Sequence, residues 1–113
     1  MSATTPLREP TFLILTALAA RPQHGYGILR DVEEISQGRV SLQAGTLYAA
    51  LDRLSSDGWV DVDREEVVDG RLRRYYRLTE PGAARLAAEV EKLSAHTRAA
   101  RQRLRARLTG GTA

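Results

Sequence analysis

The residues best equipped for chemistry are the arginines of "VVDGRLRRYYRLT", Val67 to Thr79, where Arg71, Arg73, Arg74 and Arg77 surround two adjacent tyrosines just after an Asp-Gly turn. A guanidinium presents its donors in a fixed fork that matches phosphate and carboxylate oxygens, so the chemistry on offer is anion binding rather than bond making. A second set lies upstream in "QAGTLYAALDR": Gln43, Ala44, Thr46, Tyr48, Ala49 and Arg53. An amide pairs with adenine, alanine and the threonine methyl touch a thymine methyl, and tyrosine and arginine suit phosphates. Catalysis finds no comparable footing. The chain has two histidines, His24 and His96, and no cysteine, and it shows no carboxylate pair, Ser/His/Asp arrangement or phosphate-cradling loop. A metal site would need scattered carboxylates. No enzyme activity, metal or cofactor is expected.

The bulk numbers bound this reading. A chain of 113 residues is one domain, or one domain with an appendage, and 42% hydrophobic with 27% charged content is a globular composition. The lack of cysteine excludes disulfides and is compatible with the reducing cytoplasm, the expected location. "MSATTPLREP" lacks the apolar centre of an export signal, and "FLILTALAA" is too short for a membrane span, so no membrane association is expected. The net charge is +3, yet from Thr79 onward seven Arg/Lys face three acids, which leaves −1 for residues 1–78. Net charge alone therefore argues only weakly for nucleic acid.

Periodicity supplies the elements that must position these groups. Residues 1–9 read as a flexible lead-in. "PTFLILTALAARP" predicts a helix with Pro10 in its first turn, apolar all round through Phe12, Leu13, Ile14, Leu15 and Leu18. Such a helix is buried on more than one side, which points to a partner subunit. "RPQHGYG" is a loop and turn. "YGILRDVEEIS" is a second helix with the stripe Ile28, Leu29, Val32 and Ile35. In the third, Leu47, Leu51 and Leu54 face inward and Gly58 stands at the stop. "WVDVDREEV" and "RLRRYYRL" flank Asp69-Gly70 as a hairpin. Thr79 caps a last helix, with Pro81 just inside, that runs to about Leu108; residues 109–113 are an expected disordered tail. The order is helix, helix, helix, hairpin, long helix. It predicts a mainly α protein with a small β-hairpin wing: a winged helix-turn-helix over residues 10–79 and a dimerisation helix over 80–108.

The strings "HGYGI", "GTLYAALDRLSSDGWV" and "DGRLRRYYRLTEPG", in that order before a long helix, resemble the PadR-like transcriptional regulators over roughly residues 9–108. The resemblance implies a homodimeric winged helix that binds operator DNA, usually as a repressor and often released by a small molecule. It also implies that Tyr26, beside the free N–H groups opening the second helix, reaches a phosphate; the alternative is a packed turn tyrosine between glycines needed for their backbone angles. Some relatives hold flat aromatic drugs between aromatic side chains at the dimer centre. The last helix here has no aromatic residue, so the effector stays unknown, and Trp59 is either structural or ligand-facing.

Within this frame, Gln43, Ala44, Thr46 and Ala49 are the candidates for base edges, and Tyr48 and Arg53 for phosphates. The plain alternative is a set of solvent-tolerant helix residues. The wing from Trp59 to Leu78 carries five arginines and five acids, so its register decides which arginines are free. A two-residue loop would place Val62 opposite Arg77. A three-residue loop pairs Val60 with Leu78, Val62 with Tyr76, Asp61 with Arg77 and Glu65 with Arg73, and it sets Arg74 against Arg64. The second is preferred because it keeps the apolar pairs together. Arg71, Arg73 and Arg74 are then candidates for DNA contact, against the alternative of a solvated hairpin. In the last helix Leu86, Val90, Leu93, Thr97, Ala100 and Leu104 form a heptad seam, expected to pack on its mate together with Phe12 and Leu15.

Overall fold

Pro10 fits only the first turn of a helix, and no breaker follows until Pro22, so the chain opens with α1 (Glu9–Ala20). A computed structural model gives the structure of residues 5–110. After α1 come β1 (Gln23–His24), α2 (Gly25–Ile35), α3 (Ala44–Ser56), β2 (Val60–Val68), β3 (Arg71–Leu78) and α4 (Glu80–Leu108). The core joins Leu13, Ile14, Leu15 and Leu18 of α1 to Ile28 and Val32 of α2 and to Leu47, Leu51 and Leu54 of α3, and Val60 and Tyr76 of the sheet close it. Three packed helices and a hairpin make the winged helix-turn-helix that the element order implies. The α2 stripe stops short, for Ile35 is 41% exposed.

Local chemistry accounts for the boundaries. α3 ends where Gly58 takes φ 80°, with Gly58 N–H donating to the Ser55 carbonyl at 3.0 Å and Trp59 N–H to that of Leu54 at 3.0 Å. Only a residue without Cβ adopts that backbone easily. The Thr79 hydroxyl accepts from Gly82 N–H at 3.0 Å and starts α4.

Three expectations are corrected. Leu15, placed at a subunit interface, has no exposed surface; it is enclosed by its own protomer and offers a partner nothing. The "RPQHGYG" stretch is not only loop, because Gln23 and His24 pair with Tyr76 and Tyr75, giving a three-stranded antiparallel sheet in the order β1-β3-β2. The lead-in is held at residues 5–8: the Thr5 carbonyl accepts from Arg85 at 2.7 Å, and Leu7 N–H donates to the Glu89 carboxylate at 3.3 Å. Glu89 itself is buried on α4 between Arg85 at 3.0 Å and Lys92 at 3.1 Å. Residues 1–4 and 111–113 lie outside the described residues, and with them the ends of the expected flexible lead-in and tail.

The hairpin uses both alternatives read from the sequence. Asp69 and Gly70 both have positive φ, 52° and 76°, in a tight two-residue turn. The apolar pairs Val60–Leu78 and Val62–Tyr76 still form, because a bulge at Asp63 absorbs one residue of β2. Beyond the bulge Glu65 faces Arg74, Glu66 faces Arg73, and Arg64 faces Tyr75. The expected Glu65–Arg73 and Arg64–Arg74 pairs do not occur.

α4 has 29 residues, a length of about 43 Å, and projects from the domain, giving the molecule a longest dimension of 67 Å. Leu86 is half-buried against the core. Past it the seam is bare: Val90, Leu93, Thr97, Ala100 and Leu104 are all exposed.

Candidate nucleic-acid interface

Two tyrosines and the wing arginines meet across a cleft of about 470 Å³ lined by His24, Gly25, Tyr26, Tyr48, Val68, Asp69, Arg71, Leu72, Arg73 and Arg74. α2 brings its N-terminus to one wall. His24 caps that helix, its Nδ1 accepting from Gly27 N–H at 3.2 Å, which leaves the ring proton on Nε2. Burial first, and the nearby Arg73 charge second, hold His24 below its ordinary pKa against the pull of Glu66. The cap therefore stays neutral and intact at neutral pH.

The two glycines of "HGYG" serve close approach. Neither Gly25 nor Gly27 has positive φ. A Cβ on Gly25 would overlap the Tyr48 hydroxyl, so the missing side chain lets the α3 tyrosine lie over the first turn of α2. Tyr26 is not the packed turn residue of the alternative reading. It is 65% exposed, with the Arg30 guanidinium 5.8 Å above its ring.

On α3 the buried line Leu47, Ala50, Leu51 and Leu54 leaves the opposite face to solvent. Tyr48 flanks it on the cleft side. Thr46, Ala49 and Arg53 line a separate groove with Arg8, Pro10 and Thr11 at the start of α1. Gln43 and Ala44 are exposed at the helix start. The candidate residues thus form two groups: Tyr26, Tyr48, Arg71, Arg73 and Arg74 share the cleft, while Gln43, Ala44, Thr46, Ala49 and Arg53 run along α3 away from it. Sequence reasoning passed over Asp52, an exposed acid one turn beyond Tyr48 and Ala49, and gave no role at the cleft to Leu72.

Ion pairing decides which wing arginines are available. Arg74 holds Glu65 at 2.7 Å, a bond that raises its pKa further, and Arg77 holds Asp61 at 2.7 Å. Arg64 contacts Asp63 at 3.1 Å and stacks 3.8 Å from the centre of the Tyr75 ring, whose hydroxyl donates to Glu66 at 2.9 Å. Tyr75 in turn meets the His24 ring edge-on at 5.3 Å, tying the wing to the α2 cap. Arg71 and Arg73 are in no ion pair among the described residues.

A second surface joins α1 to α4. Phe12, Val90, Leu93, Ser94, Thr97, Arg98 and Arg101 line an open groove of about 460 Å³ with an apolar floor. Among the described residues no helix is long and apolar enough to cross a membrane.

Fold and cleft together define a winged helix-turn-helix module whose wing presents Arg71 and Arg73 beside an exposed helix. The chain belongs to the transcriptional regulator PadR-like family, whose pattern matches residues 14–88. That family is one of transcription regulators, not of enzymes. The chain is 43% identical over 61 residues to the transcriptional regulator Rv3488 of Mycobacterium tuberculosis, a match spanning 54% of this chain and 56% of that protein. It is 28% identical over 102 residues to the transcriptional regulator YqjI of Escherichia coli, 90% of this chain and 45% of that one. The chain thus spans about half the length of these two relatives. Among solved structures, a PadR family regulator of Clostridium difficile superposes with a TM-score of 0.71 at 24% identity, over 86% of this chain and 99% of that one. Bacillus subtilis PadR in complex with operator DNA superposes with a TM-score of 0.66 at 23% identity, over 74% and 48%.

Proposed function

We propose that this chain acts as a homodimeric, sequence-specific DNA-binding repressor on a near-palindromic operator, with release by a small-molecule effector as a further layer of control. The observation that carries the reading is the cleft in which Tyr26, Tyr48 and the two unpaired wing arginines converge beside the exposed start of α3. Phosphates would bind at Tyr26, Tyr48, Arg71 and Arg73, with Arg74 joining them if it leaves Glu65. Bases would meet Gln43, Ala44, Thr46 and Ala49, and Arg53 would take the backbone on the far side. Bacillus subtilis PadR, which shares the fold, was solved with operator DNA. The bare α4 seam with Phe12 supports the dimer, since a projecting helix with an apolar stripe buries it by pairing. Two copies would then present their α3 helices to major grooves about 34 Å apart. The cytoplasm is the proposed location, where such an operator lies.

The net charge of −1 over residues 1–78 favours a second reading, a winged-helix protein-interaction module without specific DNA binding. Selection of duplexes from a random pool, followed by anisotropy on the selected and a shuffled duplex, separates the two. A selected near-palindrome that survives moderate salt is the expected result. Equal, salt-labile binding to both duplexes would overturn the repressor reading in favour of the module.

A further inference from the structure

Strand alternation puts Tyr76, Arg74 and Leu72 on one face of β3. At the base of the wing that face buries Tyr76 in the core; at the tip it turns Leu72 into the cleft, with Val67 directly across from it on β2. Both side chains are bare, Leu72 at 60% and Val67 at 71% exposure. Next to them Arg74 is neutralised by Glu65. The tip therefore sets an aliphatic pair beside Arg71 and Arg73, which line the same cleft and are in no ion pair among the described residues. No packing within the domain accounts for two opposed aliphatic side chains so far from the core.

Resting on the DNA-binding reading above, we propose that Leu72, in the cleft, and Val67, across from it on β2, make an apolar contact with the deoxyribose edges of duplex DNA seated against the wing tip, supplying a salt-independent part of the affinity. The occupant follows from what surrounds the pair. A polyanion strung on apolar sugar rings matches both the free guanidiniums and the aliphatic surface beside them, whereas an acidic peptide would satisfy only the former. Sugar edges also repeat without regard to sequence, so the contact would steady the wing without reading bases. Covering these side chains removes apolar area from water, a gain that counterion release does not touch.

The test uses the duplex selected with the wild-type protein, in a salt series extrapolated to 1 M, where the electrostatic part is largely gone. Leu72→Ser and Val67→Ser, both at exposed positions, should keep the wild-type melting temperature and salt slope. Each should lower the extrapolated affinity by about five- to tenfold. Leu72→Met, which keeps the apolar volume, should restore it. Arg71→Ala serves as the contrast and should flatten the slope. Serine variants within about twofold of wild type, alongside a flattened slope in Arg71→Ala, would overturn the apolar contact and leave the DNA reading standing. A changed slope in the serine variants would also overturn it, since the pair would then act through the arginines. No selected duplex, with Arg71→Ala indistinguishable from wild type, would remove the DNA reading and this contact with it.

Discussion

The ion-pair pattern of the wing makes its arginines differ sharply in what they should contribute to DNA binding. Arg71 and Arg73 have no carboxylate partner among the described residues, whereas Arg77 is held by Asp61 and Arg74 by Glu65, each at 2.7 Å. A guanidinium already neutralised within the protein releases few counterions from DNA. A free one contributes about 0.9 to the slope of log K against log salt for each phosphate it covers. Raising salt fourfold, from about 50 to 200 mM, then removes about 3.5-fold of affinity per contact, and about 12-fold for the two wings of a dimer. Arg71→Ala and Arg73→Ala should each reduce the slope by about 0.9 per wing, and Arg77→Ala should leave it nearly unchanged. Glu65→Ala makes the converse case: it frees Arg74 beside the cleft and should steepen the slope by up to about the same amount. Anisotropy titrations at five or so salt concentrations read all four. Equal slopes for Arg71→Ala and Arg77→Ala would refute the reasoning, because the Arg77–Asp61 pair would then not neutralise its arginine in solution. These exposed pairs contribute little to stability, typically less than about 1 kcal/mol each, so the variants should fold and the comparison stay clean.

Other expectations follow from the same geometry. Leu93→Glu puts a charge in the middle of the α4 seam and should give monomers by sedimentation, with operator affinity falling as the second half-site is lost. Gly82→Ala would drive a Cβ into the Trp59 carbonyl oxygen and to 2.9 Å from Leu78 Cδ1. Backbone cannot step aside there, so denaturant unfolding should show a loss of about 1–3 kcal/mol or more. At Glu89 burial opposes the charge, but Lys92, Arg85 and Leu7 N–H outweigh it and hold the carboxyl below its ordinary value of 4.5. A folded-state pKa below the unfolded one stabilises the protein above about pH 4.5, and that contribution disappears as pH falls through the folded value. Glu89→Gln should therefore be less stable than wild type at pH 7, with the difference shrinking in acid. An unchanged gap in melting temperature between pH 7 and pH 3 would show that the carboxylate charge is not what holds residues 5–8 to α4.

What the sequence made legible, and what it hid, follows from where the determining contact lies along the chain. The α3 stripe, the Gly58 stop, the Thr79 cap and the extent of α4 are all set within a few residues, and period or turn chemistry shows them. Leu15 was misread because an all-apolar helix says that every side is covered but not by what; the rest of the same protomer suffices. β1 left no signal, since two residues of strand have no period and exist only through Tyr75 and Tyr76 more than fifty positions away. The bulge matters most for function. "VDVD" alternates evenly up to it, and the charged run "REE" that follows has no apolar period to reveal a shift, so nothing local marks Asp63 as the extra residue. A tight turn and apolar pairing looked like rival registers, when one unpaired residue lets both hold. That shift moves Glu65 from Arg73 to Arg74. It leaves Arg73 unpaired beside Arg71, instead of two arginines facing each other in mid-strand. The free cations at the wing tip are thus a consequence of strand pairing, and the count of arginines in the sequence, equal to the count of acids across the wing, could not have located them.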